Sequence, residues 1–231
     1  MADPRHVKFA RTLIEYSLAI QPGDHLLIVA PVLAAPLVRE VFRSALRAGA
    51  FPDVQIVLDD LDEIRLREGS EAQLAYVPAA KLREVEDYNA HLRISAAANT
   101  RARSGIDPAR LAIASRALAA RQQRFMARAA SGELRWSSTL FPTQAHAQDA
   151  GMALAEYEDF VYGAMLLDTS DPAAAWRAVH TEQARIIDYL ARHDEIRIVA
   201  PDTDLTYRVR GRTWNNSSGA RNFPSGEVFT G

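Results

Sequence analysis

Glu227 stands between a turn-forming stretch and an apolar one near the end of the sequence. The preceding Phe-Pro-Ser-Gly stretch, residues 223–226, favours a turn, because proline fixes φ and glycine can adopt a positive φ. Val228 and Phe229 then continue as the start of a strand. A carboxylate held on a rigid turn beside apolar neighbours is an oxygen ligand suited to a divalent metal. From the residue types alone, however, a solvated glutamate at a hairpin corner is the better interpretation.

The histidines offer no second candidate for a metal site. None stands in a His-Glu-x-x-His pair or at another ligand spacing, so each is interpreted as a surface or packing residue. The six are His6, His25, His91, His146, His180 and His193. An acidic run, Asp59 to Glu63, is interpreted as the solvated start of a helix, where the helix dipole favours negative charge.

Other chemistries are disfavoured by residues that the sequence lacks. The chain has no cysteine, which excludes disulfides, thiolate metal sites and a cysteine nucleophile. It has no Gly-x-Ser-x-Gly motif of the serine hydrolases. The loop after the first predicted strand, residues 30–33, has no glycine, so we expect no dinucleotide site of the glycine-rich kind.

The stretch from Asn222 to Thr230, Asn-Phe-Pro-Ser-Gly-Glu-Val-Phe-Thr, resembles the signature of the thermophilic-type metallo-aminopeptidases. This family includes aminopeptidase T and aminopeptidase S. The resemblance covers most of the chain and is stronger after residue 130 than before it. Upstream it is carried by Trp136 to Thr143, Ala147 to Met152, Glu156 to Phe160, Asp171-Pro172, Trp176, Thr203 to Leu205, Gly211-Arg212 and Trp214.

The resemblance implies a metal-dependent aminopeptidase that releases N-terminal amino acids from peptides. It makes Glu227 a metal ligand and implies two divalent ions, zinc, cobalt or manganese, in the complete enzyme. It also implies a homodimer when the enzyme is complete. Family members continue well beyond this motif, and their other metal ligands lie there, whereas this chain stops two residues after Phe229. We therefore expect a truncated N-terminal portion, inactive alone, whose general base and remaining ligands lie beyond Gly231.

The composition predicts a soluble folded protein. Of its 231 residues, 48% are hydrophobic and 24% charged, a balance that allows a sizeable buried core. The formal net charge of −2 gives no basic excess for nucleic acid or an anionic membrane. The most apolar run, Leu26 to Val38, is too short for a membrane span and contains two prolines. Together with the absence of cysteine, these features predict a cytoplasmic protein.

The order of predicted elements indicates an α/β fold. Apolar strands at His25 to Val29 and Val54 to Leu58 flank an amphipathic helix from about Pro36 to Ala48, which implies a parallel crossover. Further strands are predicted at residues 91–96 and 133–139, with one long helix from Asp107 to near Gly132 between them. The prediction is a Rossmann-like layered domain with a mainly parallel sheet over residues 1–192.

Residues 193–231 show a different pattern of predicted elements, with short strands and no helix. Short strands at residues 196–200, 205–209 and 212–214 are joined by Asp, Gly and Asn turns, which predicts a β meander. We interpret this segment as the first strands of a truncated metallopeptidase catalytic domain. Two alternatives remain open, a Rossmann-like module that binds a small ligand at the strand ends, and a dimerisation module without catalysis.

Overall fold

A five-stranded parallel sheet forms the centre of the protein. The computed structural model describes residues 3–231. The strand order is β2-β1-β3-β4-β8, and every neighbouring pair is parallel. The strands of the chain are β1 (His25–Pro31), β2 (Phe51–Val57), β3 (Ala90–Ser95), β4 (Arg135–Leu140), β5 (Glu195–Ala200), β6 (Thr203–Arg208), β7 (Trp214–Ser217), β8 (Asn222–Phe223) and β9 (Glu227–Thr230). The predicted α/β fold with a mainly parallel sheet is confirmed.

Helices cover both faces of this sheet. They are α1 (Pro4–Thr12), α2 (Ala35–Arg47), α3 (Asp59–Glu68), α4 (Glu71–Ala75), α5 (Ala79–Asp87), α6 (Pro108–Ala117), α7 (Ala119–Ser131), α8 (Gln144–Asp149), α9 (Leu154–Ala164) and α10 (Pro172–Leu190). A π-helical turn, Leu13–Ser17, extends α1, and a short 3-10 turn, Val32–Ala34, precedes α2. Within residues 3–231, no helix combines the length and apolarity that a membrane span needs.

The main core lies between the sheet and the layer that contains α1, α2, α9 and α10. Leu26, Ile28 and Ala30 of β1 contribute one row of side chains, each almost fully buried. Strand β1 as a whole is a nearly continuous apolar run because helices cover both faces of the sheet. The start of α1 is fixed by Asp3, whose carboxylate accepts a hydrogen bond from the backbone N–H of Arg5 at 2.8 Å.

The prediction of one long helix from Asp107 to Gly132 is wrong in one respect. The segment forms two helices that meet at Leu118. Leu118 has φ −86° and ψ −2°, and its backbone N–H bonds the carbonyl of Ser115 three residues earlier. The two halves pack on different partners, α6 against α3 and α4, and α7 against α5. The direction of each half is therefore set by the helices on which it packs, and a single straight helix could not pack on both sets.

The segment after residue 193 does not form one meander. Strands β5 and β6 form an exposed antiparallel hairpin, as the sequence predicts. Strand β7 pairs instead with β9, and the predicted strand at residues 212–214 is displaced to Trp214–Ser217. The two-residue strand β8 adds to the parallel sheet beside β4, so this segment contributes to the first sheet. A domain boundary near residue 193 stays a prediction.

Candidate functional site

The buried side chain of Phe223 anchors the turn before Glu227 to the main core. Its ring is 2% exposed and packs between Phe9 and Trp176, with ring centroids 5.7 and 5.4 Å away. Its carbonyl accepts a hydrogen bond from the Thr139 hydroxyl at 2.7 Å, which ties β8 to β4. The turn is thus held by both side-chain packing and a side chain-to-backbone hydrogen bond.

A second set of contacts closes the loop on its other side. The backbone N–H of Gly226 donates to the carbonyl of Ser217 at 2.8 Å, and the hydroxyls of Ser217 and Ser225 lie 2.6 Å apart. Gly226 has φ +125°, a conformation that residues with a Cβ rarely adopt. Glu227 is the next residue and begins β9 opposite Ser217. The glycine in the sequence therefore predicts the positive φ that this turn adopts at Gly226.

Strand β7, the partner of β9, is fixed to the helical layer through Ser218. The Tyr16 hydroxyl donates to the Ser218 carbonyl at 2.8 Å, and His180 Nδ1 lies 2.8 Å from the Ser218 hydroxyl. Ser218 itself is almost fully buried. Gly219 follows with φ +91°, and a Cβ there would lie 3.2 Å from both Phe223 and Trp176. These contacts hold the β7–β9 pair against α10.

Glu227 itself is exposed at the first position of β9. The structure therefore places it where the sequence predicts, at the junction of the turn and a strand. Across residues 3–231 no three His, Asp or Glu side chains are close enough together to hold a metal ion. The assignment of Glu227 as a metal ligand stays a prediction.

The histidines lie in separate environments. His6 packs against Tyr162, with Nε2 3.0 Å from the hydroxyl, and burial lowers its pKa. His146 Nδ1 is 3.0 Å from the Thr143 hydroxyl, and burial likewise lowers its pKa. His193 lies just beyond the last turn of α10, beside Tyr189. Each has a local packing role, and none meets Glu227 in a ligand cluster within residues 3–231.

A cavity of about 1010 Å³ lies between the second face of the parallel sheet and the layer α3 to α7. The sequence leaves a small ligand at the strand ends open as an alternative, but it assigns no residues to such a site. One signal was present, because β3 alternates buried apolar residues with the polar His91, Arg93 and Ser95. In a central strand covered on both faces, such alternation indicates that one face meets a polar space. Glu227 is not among the residues that line this cavity.

His91 lines this cavity beside aromatic rings. It meets Phe125 edge to face, with centroids 5.6 Å apart, and Phe125 in turn contacts Trp136 at 6.3 Å. Burial lowers the pKa of His91 to about 4, and the positive charge of Arg121 adds to the effect. The imidazole is therefore neutral in the folded protein near pH 7.

We expect this histidine to make the protein less stable as the pH falls from about 6.5 to about 4. In that interval the unfolded chain takes up a proton at His91 and the folded chain does not, so the free energy of unfolding drops with pH. In His91→Phe the decline between these pH values should be smaller by about 3 kcal/mol. Urea denaturation at several pH values measures it.

The matched control for this prediction is His25→Phe, at an exposed position on β1. Because His6 and His146 titrate in all three proteins, only the difference between variants reports on His91. Parallel pH profiles for the wild type and His91→Phe would show that folding does not lower the pKa of His91.

The sequence of the chain, including the turn at Glu227, matches a protein family. The sequence profile of the family described as thermophilic metalloprotease (M29) matches residues 2–231. The chain belongs to the thermophilic metalloprotease (M29) family. The resemblance in the sequence is thereby confirmed, and with it the assignment to a family of hydrolases that depend on a metal.

Two relatives and one solved structure show how far the likeness to M29 proteins extends. Aminopeptidase 2 of Geobacillus stearothermophilus is 30% identical over 96% of this chain. Aminopeptidase T of Thermus thermophilus is 24% identical over 96% of this chain. The structure of wild-type AmpT from Thermus thermophilus superposes with a TM-score of 0.79 over 98% of this chain, at 23% identity. This last match shows that the fold is shared.

The 231 residues span about three fifths of these M29 relatives. The alignments cover 59% of Aminopeptidase 2, 60% of Aminopeptidase T and 61% of the AmpT chain. The relatives therefore contain residues with no counterpart among these 231.

Proposed function

We propose that these residues act within a metal-dependent aminopeptidase that releases N-terminal amino acids from peptides. The observation that carries the proposal is the family match over residues 2–231, which includes the turn that ends at Glu227. Two relatives of the chain are named aminopeptidases. The substrates would be peptides with a free N-terminus, and the complete enzyme would be a cytoplasmic homodimer.

The donor chemistry of Glu227 fits one ligand position of a metal site. It is an exposed carboxylate at the end of a turn held by buried contacts, and hard or borderline divalent ions bind such oxygen atoms. We propose two ions, zinc, cobalt or manganese. When bound, such ions lower the pKa of a coordinated water and polarise the carbonyl of the scissile peptide bond.

The residues around Glu227 would act by positioning its carboxylate. Phe223 fixes the turn in the core, and the Gly226–Ser217 hydrogen bond fixes the register of β9. A ligand that is already held in place loses less conformational entropy when a metal binds. The same contacts limit how far the backbone of Glu227 can move, which a metal site of defined geometry requires.

The test uses an extended form, in which the 231 residues are joined to the part of Aminopeptidase 2 that the alignment does not cover. Its hydrolysis of aminoacyl chromogenic substrates is measured with and without a chelator. We expect turnover that the chelator abolishes and that zinc, cobalt or manganese restores. A folded extended form that is inactive with all three metals, or active without metal, would contradict the proposal.

We expect the 231-residue chain alone to show no metal-dependent aminopeptidase turnover. A two-metal site holds its ions about 3.5–4 Å apart with several protein ligands around them. Within residues 3–231, Glu227 stands outside any group of three such ligands. The measurement is the same chromogenic assay with each of the three metals, beside the extended form. Turnover comparable to that of the extended form would show that the active site lies within these 231 residues.

The division of the chain at about residue 193 is also a proposal. The β5–β6 hairpin is largely exposed, whereas β8 belongs to the parallel sheet. We propose that residues 193–231 begin the catalytic domain while β8 fastens it to residues 1–192. Limited proteolysis that cuts the exposed hairpin and leaves the sheet intact would support this division.

A further inference from the structure

The 1010 Å³ cavity reaches the point where the strand order of the sheet reverses. From β1 the chain moves to β2 on one side, and β3 then lies on the other side of β1. The cavity is lined there by the carboxyl ends of both strands, Ala30 and Pro31 of β1, and Ser95 of β3. In open α/β sheets, ligands bind in the crevice at such a point, and the same cavity continues from there along the sheet to His91 and Trp136. Its volume suits a small organic molecule.

Apolar side chains form one wall of this cavity. Phe125 and Trp136 present contacting rings, and Leu118 and Met126, which line the same half-open space, are 41% and 50% exposed. Large apolar surface that remains exposed within a concave site is characteristic of ligand pockets.

The cationic side chains that line the cavity each meet a carboxylate, with one exception among residues 3–231. Arg65 and Arg103 both bind Asp62. Lys81 and Arg121 both bind Glu84, at 2.9 and 3.5 Å.

Arg93 is the exception. It extends from the middle of β3 into the same space, is exposed, and has no side-chain hydrogen bond or ion pair with residues 3–231. A guanidinium with a free face binds carboxylate or phosphate groups through two parallel hydrogen bonds.

His91 supplies a second free polar group beside the aromatic wall. It precedes Arg93 by two residues on β3, so both side chains project from the same face of the sheet. Its Nε2 atom is buried and has no hydrogen-bond partner within residues 3–231. A buried polar atom without a partner is costly, and a ligand atom could satisfy it.

We propose that this cavity binds a small organic anion, with its carboxylate or phosphate on Arg93 and its apolar body against Phe125 and Trp136. Glu227 does not line the cavity, although Asn222, five residues earlier, does. The site gives the protein a ligand-binding activity that does not depend on peptide hydrolysis.

Isothermal titration calorimetry on the full 231-residue chain tests this proposal with three probes. N-acetylphenylalanine carries a carboxylate, phenyl phosphate carries a phosphate, and N-acetylphenylalanine amide is the uncharged control. We expect at least one of the two anions to bind with one site per chain and at least about tenfold more tightly than the amide, because a hydrogen bond to a charged group is lost in the amide. The tighter of the two anions identifies the preferred head group.

Arg93→Gln should weaken binding of that anion at least about tenfold, and Arg93→Lys should lie between it and the wild type. The matched control is Arg39→Gln, an exposed arginine on α2, across the sheet, which should bind like the wild type. Circular dichroism checks that each variant is folded. Equal binding of anion and amide, equal binding by Arg93→Gln, or no binding of either anion at millimolar concentration would overturn the proposal.

Discussion

Replacing Glu227 with glutamine in the extended form is expected to lower kcat/KM at least about 100-fold, because even residues that only support metal ligands contribute up to that factor. Glutamine keeps the size of the side chain but removes its negative charge, so it is a much weaker metal ligand. Bound metal, measured by atomic emission after dialysis, should fall in parallel. Since Glu227 is exposed, the free energy of unfolding of the metal-free 231-residue chain should change by less than about 0.5 kcal/mol.

The control for this substitution is Glu195→Gln. Glu195 is also an exposed glutamate at the first position of a strand in an antiparallel pair. It should retain the metal content and activity of the unsubstituted protein. If Glu227→Gln also retains both, Glu227 is a surface residue and the metal site lies elsewhere.

Phe223→Ala is expected to lower the free energy of unfolding by about 3–5 kcal/mol, the range for removing a buried aromatic side chain. The substitution leaves a cavity between Phe9 and Trp176 and removes two aromatic contacts. Because Phe223 also fixes the turn before Glu227, the extended form should bind metal more weakly. Urea denaturation and metal titration measure the two effects.

Phe229→Ala is the matched control for this prediction. Phe229 lies on β9, just beyond Glu227, and is 46% exposed, so its loss should cost about 0.5 kcal/mol or less. Similar losses for both variants would mean that Phe223 does not anchor the turn. A large loss of stability without a change in metal affinity would separate the packing role of Phe223 from the positioning of Glu227.

The helix starts and the central strands could be predicted from the sequence because they depend on local chemistry. Asp3, Asp107 and Asp171 each precede a proline, and each caps its helix through its carboxylate as the local sequence suggests. The apolar runs of β1 and β2 predicted a parallel pair, and residues His25 to Pro31 pair with Phe51 to Val57. In both cases neighbouring residues carry enough information to fix the backbone.

The features that the sequence did not predict depend on distant partners. Strand β8 has two residues, too few for any periodicity. It forms because the Thr139 hydroxyl donates a hydrogen bond to the Phe223 carbonyl and because the Phe223 ring packs between Phe9 and Trp176. The break at Leu118 arises because α6 and α7 pack on different helices. Secondary-structure propensity and hydrophobic periodicity do not depend on such contacts and so cannot predict them.

The candidate sites divide in the same way. The motif around Glu227 is contiguous, so its residue types, its turn and its family could be identified from the sequence. The cavity around Arg93 is lined by residues of strands β1 to β4 and of helices α3 to α7, which are far apart along the chain. Whether Arg93 finds an acidic partner is decided by which side chains the fold brings near it. The sequence alone determined the alternation that exposes Arg93 on one face of β3, and only the tertiary structure left its charge unpaired among residues 3–231.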